Sequence, residues 1–153
     1  MSGEIDALIH YNPPRGFDPA QSRIKRLFRD PAAAERQYFQ ATGIFPIMHL
    51  VGVRRSLLDK DPSLARKVYD AFSGAKESAI SDLASQSSPR ISLPWLNADV
   101  ARTVELAGAD FWPYGVGKNK AALESLTRYA FEQGLTRRRL PISELFAPGL
   151  LET

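Results

Sequence analysis

The chain has 153 residues, of which 44% are hydrophobic and 24% charged, a length of about one domain and a globular balance that excludes disordered and fibrous classes. It holds no cysteine, which removes disulfides, thiolate zinc sites, iron–sulfur clusters and cysteine nucleophiles together. Its 20 Lys and Arg against 17 Asp and Glu leave a net charge of +3, too small an excess to point to nucleic acid as a partner.

The run Glu4–Tyr11 reads as a short apolar strand. The chain opens almost directly on it, with neither a charged leader nor a small-residue cleavage site. Domains seldom begin inside an element, so the expectation is a truncated chain. Asn12 to Asp18 follows as a turn-rich loop, where Pro13 and Pro14 fix φ and Gly16 permits a tight bend. Asp30 can cap a helix, Pro31 suits its first turn, and Ala32–Glu35 are strong helix formers. That helix carries Tyr38 and Phe39 and closes at Gly43.

Phe45 to Val53 is apolar, β-branched and interrupted by Pro46, which predicts a buried strand. It is part of the longest apolar run, Ile44 to Val53, far short of the roughly 18 residues that cross a bilayer. No membrane partner is therefore expected. A helical turn is expected over Arg54–Asp59. The strongest helix runs from about Pro62 to Ala84, capped by Asp61. Leu64, Val68, Phe72, Ala75, Ala79 and Leu83 form its stripe at spacings of three and four, with Lys76 off it.

Ser85 to Pro94 reads as a polar loop. Ala98–Ala107 is expected to be helical, capped by Asn97 and stopped by Gly108. Asp110 to Gly117 is a loop with three aromatics and two glycines. The next helix spans about Asn119 to Gln133, with Leu123, Leu126 and Ala130 inward and Gly134 as its stop. One further turn is expected over Ile142–Phe146. The whole reads as α/β, helix-rich with two strands.

Positive charge clusters in two places. Arg15–Arg36 holds six basic residues against three acidic ones, and Lys118–Arg139 holds six against two. Such runs ordinarily form a solvated face; the functional alternative is a cleft that draws in a small anion. None of the strongly specific catalytic motifs is present. Gly115-Val116-Gly117 lacks a third glycine and a preceding strand, so it reads as a loop end. His10 and His49 stand 39 residues apart, which gives no local metal pair, and no cofactor is evident. His49 lies within an apolar run, where an imidazole is either a hydrogen-bonded structural group or a proton donor at a strand end. Arg15 leaves a strand through a proline loop, where its guanidinium can fork onto a carboxylate. Trp112 and Tyr114 either plug the edge of a core or stack on an aromatic ligand.

Several segments stand together in one family's order. They are Gly3–Leu8, Arg26-Leu27-Phe28, Tyr38–His49, Ala71-Phe72 with Ala75-Lys76, Leu93-Pro94-Trp95, Asp110–Gly115 and Tyr129–Leu135. The runs Thr-Gly-Ile-Phe-Pro-Ile-Met-His and Asp-Phe-Trp-Pro-Tyr-Gly are the specific ones. The chain resembles the C-terminal half of the 4,5-dihydroxyphthalate decarboxylase family. The resemblance covers nearly all 153 residues, departing at Asp61-Pro62-Ser63, where Pro-Trp would be expected.

That resemblance implies a fold similar to the two-lobed, type II periplasmic binding proteins. About 1–45 would belong to one lobe, 45–53 would cross over, and 54–153 would supply helices returning to the other lobe. It implies removal of one carboxylate from a dihydroxylated phthalate, giving protocatechuate and carbon dioxide, in the cytoplasm or the periplasm. Chemistry then assigns His49 to ring protonation, Arg15 to the retained carboxylate, and Tyr11, Trp112 and Tyr114 to the substrate. The chain alone is expected to be inactive, and either oligomeric or dependent on an N-terminal half. The alternative is a solute-binding protein for a small anionic aromatic ligand.

Overall fold

The computed structural model describes residues 5–18, 20–21, 23–84 and 91–153. The start of the first expected strand, Glu4, and most of the expected loop Ser85–Pro94 lie outside them. The chain divides into two compact units, Met1–Gln37 and Tyr38–Thr153.

In the first unit the described chain is turns and extended backbone up to Asp30. Arg15 stands inside a tight turn closed by the Phe17 amide donating to the Pro14 carbonyl at 3.1 Å. The first helix, α1 (Pro31–Thr42), starts where Asp30 predicts it. The Asp30 carboxylate accepts the Ala33 amide at 3.0 Å, which satisfies one of the free donors of the first turn.

The second unit is helical. After α1 come α2 (Arg55–Lys60), α3 (Leu64–Ala84), α4 (Leu96–Ala107), α5 (Lys120–Glu132) and α6 (Ile142–Leu145), then a 3₁₀ turn at Pro148–Leu150. Helix α3 packs against α2, α4 and the 3₁₀ turn, and α5 packs against α6. Asp61 anchors the approach to α3: its carboxylate accepts the Ser63 amide, the Ser63 hydroxyl and the Lys67 ammonium. Asn97 does not cap α4. That helix begins two residues earlier than expected, at Leu96, behind Trp95, and no side chain caps it.

Two expectations about faces are corrected. On α3 the stripe is rotated: Phe72 is half exposed, whereas the Lys76 side chain is only 13% exposed. On α5 the buried positions are Leu123 and Thr127, four apart, while Leu126 points outward. A spacing of four keeps closer to one helical face than the drift produced by three.

The α/β expectation is also corrected. No residue among those described forms a strand. Phe45–Val53 is extended but pairs with no other described segment, and Phe45, Met48, Leu50 and Val51 are exposed rather than buried. Residues 5–11 behave alike, with Ile5, Ile9 and Tyr11 exposed. High β-propensity describes side chains that fit a pleated, half-buried surface. Without an adjacent strand the backbone groups stay with water and no ladder forms. The core of the second unit is correspondingly small, centred on Val116 and Leu123.

Candidate functional site

A groove of about 1150 Å³ runs through the second unit. Its walls are the extended segment 43–53, the loop Asp110–Asn119, the start of α5, one side of α2 and α3, and the chain around the 3₁₀ turn. Each wall follows from the local sequence. Gly43 ends α1 and Pro46 denies the next residues a helix, so 43–53 passes as extended chain. Gly108 ends α4, its amide donating to the Val104 carbonyl at 2.8 Å, and releases the aromatic loop.

That loop is fixed from three sides. The Asn119 side-chain amide donates to the carbonyls of Pro113 and Gly115, each at 2.9 Å. The Val116 amide donates to the Thr153 hydroxyl at 3.2 Å, and the Gly117 amide to the Thr153 carbonyl. Trp112 meets Phe45 with ring centroids 5.3 Å apart and planes tilted by 55°, which joins the loop to the extended wall.

A further tie is ionic. Asp110 receives the Lys76 ammonium on one carboxylate oxygen and the Lys118 ammonium on the other, both at 2.7 Å. The Lys76 ammonium also stands 5.1 Å from the centre of the Tyr114 ring, a cation–π contact. The hydrogen bond from Lys118, then that from Lys76, holds the Asp110 carboxyl below its ordinary range. Asp110 in turn raises the Lys118 ammonium above its own. Asp110 and Lys118 therefore stay charged across the neutral range.

Of the residues singled out in the sequence, His49, Trp112 and Tyr114 line this groove. His49 is exposed and accepts or donates no hydrogen bond among the described residues. It is therefore not the buried, satisfied histidine that is one of its two readings. Tyr11 and Arg15 belong to the first unit. Tyr11 stacks on His10 at 4.4 Å between centroids, and Arg15 is exposed at its turn.

Sequence reasoning misses Asp110, Lys76, Lys118 and Asn119. An apolar stripe of α3 drawn through Phe72 places Lys76 on the solvent side. The only available signal is the presence of Ala75-Lys76 and Asp110 among the segments carrying the family resemblance. The basic run from Lys118 is largely neutralised on its own surface. Arg138 forks onto Glu144, and Lys120 and Arg128 approach Glu124 and Glu132. Among the described residues no cluster of three or more His, Cys, Asp and Glu can hold a metal ion. No described helix is long and apolar enough to cross a membrane.

No protein-family model matches the chain. Against curated proteins, it is 34% identical over 151 residues to the 4,5-dihydroxyphthalate decarboxylase of Comamonas testosteroni. The alignment takes in 99% of this chain and 46% of that protein, so the chain spans about half the length of the curated relative it matches. Identity at this level, sustained from one end of the chain to the other, supports a relationship to the 4,5-dihydroxyphthalate decarboxylase family.

Proposed function

We propose that this chain contributes one side of the cleft of an aromatic decarboxylase acting on a dihydroxylated phthalate, as the C-terminal half of a two-lobed protein. The supporting observation is the groove itself, where an exposed imidazole and two aromatic rings share one concavity in a relative of a decarboxylase.

The reaction breaks the bond between a ring carbon and the departing carboxylate. The electron pair stays on the ring carbon, carbon dioxide leaves, and a proton must arrive where the carboxylate was. His49 is the proton donor in this reading, because imidazolium gives up a proton near neutral pH. Trp112 and Tyr114 stack on the ring and strip water from the departing group, whose charge disperses as the bond breaks.

The test is a chimera in which this chain replaces the matched region of the Comamonas testosteroni enzyme. The chimera should decarboxylate 4,5-dihydroxyphthalate, and the 153-residue chain alone should not. Within it, His49→Ala should lower kcat by about 100- to 10,000-fold, roughly 3–5 kcal/mol in barrier, with little change in KM. An unchanged kcat in a folded His49→Ala chimera would falsify the proton-donor role. Saturable binding without turnover in the parent chimera would favour the solute-binding alternative.

A further inference from the structure

We propose that Lys118 is the anion-holding residue of the groove, receiving a carboxylate of an aromatic acid, and that Lys76 positions it through Asp110. This deepens the decarboxylase reading, on which it rests, by naming a contact within the groove wall, independent of Arg15.

The argument starts from charge. Asp110 carries one negative charge and holds two ammonium groups, one on each oxygen, at 2.7 Å. These three groups together keep a surplus of one positive charge, with the Glu77 carboxylate also acting on Lys118 from outside the groove lining. The two lysines are not equivalent. Lys76 is 13% exposed, comes from α3, and lies against the Tyr114 ring. That single ion pair already ties α3 to the loop, and Lys76 does not itself line the groove. Lys118 is 59% exposed and does line it. A strap between helix and loop needs only the first.

An ammonium has three donors. Lys118 uses one on Asp110, and no other acceptor for it is found among the described residues, so the other two are available to water or to a ligand in the groove that Lys118 lines. The other carboxylates lining the groove do not cancel it. Glu144 is held by Arg138, and Asp59, on α2, is not in ion-pair contact with Lys118. The ring-bearing side chains Trp112 and Tyr114 stand in the same loop, six and four residues before Lys118. A positive charge fixed beside two aromatic faces fits a planar aromatic carboxylate better than an inorganic anion or a neutral ring.

The probe is phthalate, bound to the intact 153-residue chain and followed by calorimetry and by Trp112 emission in a Trp95→Phe background. Phthalate should bind with an affinity that falls as salt is raised, and the neutral phthalic diamide should bind at least 10-fold more weakly. Lys118→Gln should weaken phthalate at least 10-fold, whereas Lys118→Arg should stay within about 3-fold of the parent. Lys76→Gln should fall between them. Equal phthalate affinity in folded Lys118→Gln, no phthalate binding by the folded parent chain, or equal binding of the diamide would each overturn the assignment. If the chimera fails to decarboxylate while Lys118-dependent binding persists, the decarboxylase reading fails and this one stands. Turnover in a Lys118→Gln chimera with unchanged KM would do the reverse, keeping the decarboxylase reading and removing Lys118 from it.

Discussion

A Cβ at Gly115 would stand 2.6 Å from both the carbonyl carbon and the carbonyl oxygen of Thr153, and the residue adopts φ of +107°. Both facts exclude a side chain, since L residues rarely adopt that backbone and the neighbour is main chain. The pair Gly115 and Gly117 thus does more than end a loop. It lets the chain after the 3₁₀ turn lie against the groove's aromatic loop and hand it two hydrogen-bond acceptors. Gly115→Ala should cost about 1–3 kcal/mol, read as a lower urea midpoint with the slope unchanged. A midpoint equal to the parent's would show that the Thr153 contact does not hold the loop. The same scale shows why half of the site is illegible in sequence. His49, Trp112 and Tyr114 stand out because their residue types are rare and reactive. Lys76 and Lys118 do not, because a lysine becomes a site only through the carboxylate it meets, here 34 and 8 residues away.

At the level of elements, the helices are legible and their inward faces are not. Start signals act through the residue's own backbone neighbours, so Asp30 marks a helix beginning from sequence alone, whereas α3 begins at Leu64, two residues after the start expected behind Asp61. Faces depend on what lies opposite, and the stripe of α3 turns toward the aromatic loop because Asp110 is there to meet Lys76. The two expected strands fail for a similar reason, since a strand exists only with a partner. The Asp61 anchor yields a pH prediction. Hydrogen bonds from Ser63 and then Lys67 lower its carboxyl from 3.8 to about 2. Between those values the unfolded chain binds the proton more readily than the folded one. The anchor's contribution is therefore complete above about pH 5 and is lost as pH falls through about 2. The helical circular dichroism of the Asp61→Asn chain, compared with the parent's, should differ at pH 5 and converge near pH 2. A difference that persists at pH 2 would assign the effect to something other than the charge of Asp61.

For the whole molecule the deciding quantity is surface. Compact bodies of the sizes of the two units, sharing no contact at all, would together expose about 9,000 Å². The chain exposes 12850 Å². Whatever the disposition of the two units, about 4,000 Å² remains open that compact units would cover, more than the roughly 1,200–2,000 Å² buried by a standard protein interface. Composition gives no warning, because a globular share of apolar residues says nothing about whether they find one another. Much of this surface is apolar and contiguous in sequence. Phe45, Met48, Leu50 and Val51 stand on the extended wall of the groove, with Met48 at 63% exposure. A segment whose amides and carbonyls pair with no other described residue also invites another chain to pair along it. The 153-residue chain should accordingly brighten a hydrophobic dye in its native state and sediment as a concentration-dependent mixture of monomer and larger species. Association through apolar surface should strengthen with added sulfate and respond little to sodium chloride, the reverse of what charge-driven pairing would show. Met48→Lys with Val51→Lys should lower both dye signal and association, because a charge on an open edge repels its own copy. A chain that stays sharply monomeric at all concentrations and leaves the dye dark would mean that these side chains find cover within the chain itself.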